Sequence, residues 1–369
     1  MDNLTHSLVG AALARSGLDR TTPLATATLV LAANAPDVDV LAFTQGEWFA
    51  LASRRGITHG VPAMLVWPFV LGAAMAGWDR FVRRSRFGDP AAPPARFPAL
   101  LLLAFVGVLT HPVLDWMNTY GMRWWLPFDG SWSYGDALFI VDPYVWLMLG
   151  GAAVLGVALT APAAAGWALL GALTSLPIFV SGRVGTIGQM IWIGGVLAIA
   201  LGAWLGRAAP AGRRLALARA LTGAAAVYVL AMIGLSRAAE GQVRAEIASA
   251  GIQGVMDVMI QPLPADPLAS EVLIQTFDRY YQGSHDWRRS PRVQLVDRPA
   301  LPRMGGDEPT EAVRTARELP DVRYYLTWSR YPYWFVERER ESGPARVQVG
   351  DARYVERTGG LSGLVVTLP

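Results

Sequence analysis

The 369-residue chain has no cysteine, no lysine and only four histidines. Without cysteine it can form no disulfide, thiolate nucleophile or thiolate zinc site, and the redox state of its compartment leaves no trace. Any metal must therefore be held by His, Asp, Glu or backbone oxygen, donors that suit zinc, manganese or magnesium better than soft copper. With lysine absent, all 32 basic residues are arginine, which reads as a compositional bias. Charge is scarce, at 17% against 53% hydrophobic residues, the balance of a membrane protein. The formal net charge of +3 is too small to argue for nucleic acid, and none is expected as a partner. No GxSxG, HExxH or P-loop pattern occurs, so serine-hydrolase, zincin and nucleotide-driven chemistry lack support. The first residues lack the charged start and small-residue cleavage site of a signal peptide. No internal repeat is visible.

Apolar runs are plentiful. Stretches 61–78, 97–116, 137–159, 165–181, 187–206 and 215–236 approach the ~20 residues a helix needs to cross a bilayer. A shorter run, 23–36, is expected to pair with 4–16 as an N-terminal helical hairpin that enters the membrane without cleanly crossing it. Arginine placement orients the spans. Arg80, Arg83, Arg84, Arg86 and Arg96 mark loop 79–96 as cytoplasmic, and Arg207, Arg213, Arg214 and Arg219 do the same near 207–214. Loop 117–136 carries one arginine, Arg123, with Trp124, Trp125 and Trp132, an interfacial aromatic belt on the opposite side. Alternation then places 54–60, 117–136, 182–186 and everything after 236 outside the cytoplasm.

Near Ser236 charge rises, prolines recur and the apolar runs shorten. Alternation at 271–277, 323–340 and 345–356 predicts strands, with turns at 281–284 and 341–344. Residues 302–318 read as a loop and a short helix. The expected organisation is a helical membrane domain over 1–236 and a β-rich soluble domain over 237–369. His285, in the latter, reads as a surface residue.

Ligand-type residues recur where the membrane's outer edge is expected. They are His6 in "NLTHSL", Asp37 and Asp39 in "NAPDVDVL", His59 in "RRGITHG", and His111 with Asp115 in "THPVLDWMNTYG". His111 and Asp115 are four apart on a predicted helix and share a face. An extended turn would aim Asp37 and Asp39 the same way. Ionisable groups at membrane depth cost roughly 2.5–3.5 kcal/mol on insertion scales and face interior sites. The topology puts His59, His111 and Asp115 at one membrane face, with the others able to join them around a shared metal. Asp142, read as about one and a half turns into the 137–159 span, is a further candidate, while Asp136 reads as a helix-start charge.

Together, "MDNLTHSLVGAAL", "APDVDVL", "RRGITHG" and "HPVLDWMNTYG" resemble the signatures of the YdjM-type inner-membrane metal-dependent hydrolase family. The resemblance covers 1–145 well and the C-terminal region loosely. The motif order is also distantly similar to that of zinc-dependent phospholipase C and P1-type nucleases. The resemblance implies His6, Asp37, Asp39, His59, His111 and Asp115 as metal ligands, zinc as the divalent ion with manganese or magnesium as alternatives, and a multi-pass protein of the bacterial inner membrane. The family often has histidine where Arg54 stands, which leaves the metal count open. Arg55 matches the family's arginine and suits a phosphate oxygen, with Gly56 permitting the turn.

The expected function is hydrolysis at the extracytoplasmic membrane surface, on a phosphoester of a lipid or lipid-linked substrate. Asp39 or Asp142 would take the proton and Arg55 would offset phosphoryl charge. An ion-coupled transporter, or a non-enzymatic scaffold with a structural metal, stays open.

Overall fold

A computed structural model describes residues 1–85, 88, 90–157, 160–297, 300–303, 310–338, 344–355 and 360–368. Arg86, residues 341–343 of the turn expected at 341–344, and residues 304–309 lie outside these. The chain is mostly helical up to residue 249. Its helices are α1 (Asn3–Arg15), α2 (Ala25–Asn34), α3 (Glu47–Ser53), α4 (Val61–Trp78), α5 (Phe97–Trp116), α6 (Pro143–Leu155), α7 (Ala161–Val180), α8 (Thr186–Leu205) and α9 (Ala211–Ser249). A 3-10 stretch, Ala35–Gln45, continues from α2. Strands β1 (Asp257–Leu263), β2 (Asp266–Gln275), β3 (Arg279–Asp286), β4 (Val293–Leu295) and β5 (Leu301–Pro302) follow. Helices α10 (Glu311–Glu318) and α11 (Pro320–Trp328) precede β6 (Pro332–Arg338), β7 (Ala345–Asp351) and β8 (Leu364–Leu368). Two compact units result, one of 1–38, 55–235 and 261–267, the other of 39–54, 236–260 and 268–369. Segments 39–54 and 261–267 thus group away from their chain neighbours, which a single cut at 236 does not anticipate.

Among the described residues, six helices are long and apolar enough to cross a membrane: Ala25–Gln45, Val61–Arg83, Phe97–Trp116, Ala161–Val180, Thr186–Ala208 and Ala211–Ser249. Helices α4 and α5 have the bounds expected of them. The second arm of the hairpin, lengthened by its 3-10 stretch, reaches spanning length. The run 137–159 yields only the 13-residue α6, about 20 Å long and short of a ~30 Å hydrocarbon core. Its start moves because Asp142 caps it, accepting from Tyr144 N at 2.9 Å and Val145 N at 3.1 Å, with Pro143 at the first position. Asp136 is not a helix start. It lies in the preceding loop with a left-handed backbone, φ 50°.

Small residues bring α1, α2 and α5 together. A Cβ on Gly10 would lie 2.8 Å from Leu29 O, and one on Gly107 would lie 2.9 Å from Leu29 O and 2.7 Å from Ala32 Cβ. Both neighbours therefore approach α2 at the same turn, as membrane helices do through glycine. His6 stands one turn before Gly10, and His111 one turn after Gly107. After α5 the chain folds back on the helix end, with Gly135 N donating to Trp116 O at 2.7 Å.

In the second unit, Ala239, Val243 and Ile247 form one stripe of α9 against Val258, Ile260, Val272 and Ile274. The first sheet has the order β1-β2-β3-β4 with β5 on β3, and the second the order β6-β7-β8. The expected turn at 281–284 is part of β3, where Gln282 pairs with Leu273 and Gly283 with Val272. Glycine is needed there because a Cβ would lie 2.7 Å from Gln294 O on β4. Residues 323–328, expected as strand, belong to α11. Val322, Tyr325 and Trp328 are buried at three-residue spacing, the period of a helix face. His285 is buried rather than at the surface, its Nε2 3.2 Å from Gln242 Oε1.

Candidate metal centre

Four side chains from three parts of the first unit converge. Asp37 comes from the 3-10 turn after α2, His59 from the turn before α4, and His111 and Asp115 from α5. One ligand-type atom of each lies within 4.8 Å of the others. His59 Nε2 and His111 Nε2 are 3.0 Å apart. Asp37 Oδ1 is 3.7 Å from the first and 3.8 Å from the second. Asp115 Oδ2 is 3.4 Å from His59 Nε2 and 3.6 Å from His111 Nε2. His59, His111 and Asp115 are 0–1% exposed and Asp37 is 9% exposed.

A supporting group orients each ligand. His111 Nδ1 lies 2.6 Å from Ala33 O. A carbonyl only accepts, so Nδ1 carries the proton and Nε2 turns a lone pair inward, the tautomer a metal ligand needs. His59 Nδ1 is 3.0 Å from Thr58 Oγ1. Asn3 Nδ2 donates to Asp37 Oδ2 at 2.7 Å. Arg55 Nε meets Asp115 Oδ2 at 2.8 Å, and its Nη1 donates to Asn118 Oδ1 at 2.8 Å and Asp115 O at 3.2 Å. Asp115 Oδ1 also meets the Met1 amino group.

The donor set fits a divalent cation. Two carboxylates and two imidazole nitrogens aim at one buried point. Arg55 and the Met1 amino group offset the charge of Asp115, and a cation among the four would offset that of Asp37 and share the imidazole lone pairs. Nitrogen and oxygen donors in this mixture are the set that holds zinc or manganese. Asp37, His59, His111 and Asp115 are the residues that would hold it.

His6 stands beside the four. Its Nε2 is 3.2 Å from Asp115 Oδ1, and its ring stacks on His111 with centroids 3.7 Å apart. Its buried Nδ1 has no hydrogen-bond partner among the described residues. The structure does not bring Asp39 into the cluster. A 3-10 backbone has three residues per turn, so carboxylates two apart diverge, whereas the extended turn expected there would have aligned them. Asp39 groups with the second unit, where its Oδ1 is 3.5 Å from Arg54 Nε. Asp142 is not in the cluster either. Besides capping α6, it accepts from Tyr228 Oη at 2.9 Å.

Arg55 is buried at 4% exposure, too deep to anchor at lipid headgroups. The left-handed position of this turn is Arg55 itself, φ 52°, one residue before Gly56. A non-glycine residue there costs about 1–2 kcal/mol, the kind of backbone strain that functional sites retain.

The profile of the YdjM inner membrane protein family matches residues 1–188, just over half the chain and all four converging residues. The chain belongs to that family. It is a multi-pass membrane protein, as the family description and the six apolar helices together require. The YdjM-family chain is also 27% identical over 157 residues to YfhP of Bacillus subtilis (strain 168), an uncharacterized protein. That match covers 40% of this chain and 43% of YfhP, so the chain spans under half of that relative's length. No solved structure matches.

Sequence reasoning missed Asn3 and Asn118. Both lie within the quoted motifs, three residues from His6 and Asp115, and an amide at that spacing was the available signal.

Proposed function

We propose that this protein is a membrane-embedded, metal-dependent hydrolase that acts at the extracytoplasmic surface on a phosphoester of a lipid or lipid-linked substrate. The convergence of Asp37, His59, His111 and Asp115 on one buried point carries this reading. When bound, a divalent ion supplies Lewis acidity and makes a hydroxide nucleophile available near neutral pH. The chain's own groups do the rest. Asn3 and Arg55 fix the two carboxylates, and Ala33 O and Thr58 fix the imidazole rings. His6 Nε2, facing Asp115 Oδ1, is the group placed to hold a proton beside the ligands, a role that Asp39 and Asp142, engaged elsewhere, do not fill. Arg55, occupied by Asp115 and Asn118, serves as a positioning residue.

The test is a hydrolysis screen of phospholipids and phosphodiesters with the purified protein, with and without chelator. Turnover that chelator abolishes and added zinc or manganese restores supports the reading. Chelator-insensitive turnover contradicts it.

The burial of all four ligands favours one rival, a closed structural metal site in a non-enzymatic scaffold. In that case chelation lowers the melting temperature and no substrate class turns over.

A further inference from the structure

The first unit holds a second feature, independent of the metal centre. A cavity of about 730 Å³ lies among α1, α6, α7 and α8, a volume in the range of small-molecule sites. It lies against Leu4 and Leu8 of α1, whereas His6, two residues on from Leu4, projects from the other side of that helix.

The lining is apolar along the bilayer depth. Trp146 and Trp192 face it, but their indole N–H groups donate within the protein, to Thr5 Oγ1 and Ser175 Oγ, each at 2.9 Å. Ser175 Oγ in turn donates to Gly171 O at 2.7 Å. Thr160 Oγ1 is taken by the Ala163 N–H at 3.4 Å. These polar atoms are engaged within the protein, and most of the surface facing the cavity is apolar. Arg207 is the one charged side chain among the lining residues. It is exposed at the end of α8 and forms no ion pair among the described residues. From Trp192 to Trp204 the lining runs about 18 Å along α8, close to the ~15 Å hydrocarbon depth of one leaflet.

We propose that this cavity binds one acyl chain of an anionic phospholipid, with the lipid phosphate against Arg207. An apolar slot one leaflet deep selects a hydrocarbon chain. A lone guanidinium at its end selects an anionic head over a zwitterionic one.

Gly150 and Gly171 supply the test. Both line the cavity, and a Cβ on Gly150 meets nothing within 4 Å, while one on Gly171 first meets Val196 at 4.0 Å. Leucine at either position fills the slot and favours the helix over glycine. The full chain, purified in neutral detergent, is exchanged into micelles doped with phosphatidylglycerol or phosphatidylcholine. Lipid retained per chain is counted by native mass spectrometry. About one phosphatidylglycerol per wild-type chain is expected, with phosphatidylcholine held roughly tenfold more weakly. Gly150→Leu and Gly171→Leu are expected to lose the retained lipid with melting temperature and metal content unchanged. Arg207→Gln is expected to hold both lipids equally. An empty wild-type chain, equal wild-type retention of the two lipids, or retention that survives both leucine variants overturns the proposal. Should a leucine variant fail to fold, the wild-type and Arg207→Gln comparison still decides it.

Discussion

His59 and His111 bring their Nε2 atoms within 3.0 Å of each other from positions 52 residues apart, and the Nδ1 of His111 is committed to the Ala33 carbonyl. At least one lone pair therefore points inward, into a space bordered by two carboxylates. That arrangement is stable when a cation shares the lone pairs, and the account rests on it.

Removing a supporting group should weaken metal binding without abolishing it. Asn3→Ala frees Asp37 Oδ2, and Thr58→Val leaves His59 Nδ1 without its hydroxyl. Loss of such an outer partner typically costs about 10–100-fold in metal affinity. Competition with a chromophoric chelator measures it. Unchanged affinity in both variants would remove these groups from the account.

Arg55→Ala should destabilise the protein rather than simply slow it. The substitution leaves the buried Asp115 carboxylate without its guanidinium, and breaking a buried pair costs about 3–5 kcal/mol. Arg55→Lys restores the charge but not the fork that reaches Asp115 and Asn118 together, so an intermediate loss is expected. Thermal melts in detergent give the order wild type, Lys, Ala. A melt of Arg55→Ala that matches wild type contradicts the assignment of Arg55 as a positioning residue.

The helix apposition that builds the site should be sensitive to the substitution of a single glycine. Gly107→Leu must displace Ala32 Cβ and the Leu29 carbonyl, both closer than 3.0 Å to the added Cβ. α5 then moves off α2, carrying His111 and Asp115 from Asp37. Metal content is expected to fall with the helices still inserted. The same change at Gly77, whose Cβ meets nothing within 4 Å, is the control and should leave metal content intact.

How much of this was legible depended on whether a residue's environment is local. The bounds of α4 and α5 follow from uninterrupted apolar runs, and the shared face of His111 and Asp115 follows from helical spacing. Asp37 was readable as a candidate ligand, but Asp39 was not readable as diverging from it, since the choice between an extended turn and a 3-10 turn at 35–45 is made by packing. Asp142 could have been read correctly, because Asp before Pro is a helix start. Arg55 at a left-handed backbone position beside an available glycine could not, since the pairing with Asp115 that holds it there spans 60 residues. In the second unit, α11 hid behind aromatic residues that suit strands as well as helices.

The second unit should show its own acid limit. Asp351 is buried, which opposes its charge, but Arg353 beside it, at 2.8 Å, and hydrogen bonds from Arg353 N and Ser329 Oγ hold its carboxyl below the ordinary range. A carboxylate depressed in the folded state contributes stability above its unfolded value, near ~3.9, and loses it as pH falls through the folded value. Stability followed by thermal melts across pH should therefore hold down to about pH 4 and decline below it. Asp351→Asn should be less stable at neutral pH and show a shallower acid decline. An acid limb identical to wild type in that variant would rule Asp351 out as its source.

The central claim is tested most directly by metal analysis of the purified full-length chain, wild type beside the His111→Ala, Asp115→Ala double variant. The account expects about one divalent ion per wild-type chain. It expects that ion to be missing from a double variant that still inserts in the membrane and purifies as a single species. A wild-type chain that takes up no zinc, manganese or magnesium when supplied, or a double variant that holds as much as wild type, contradicts it.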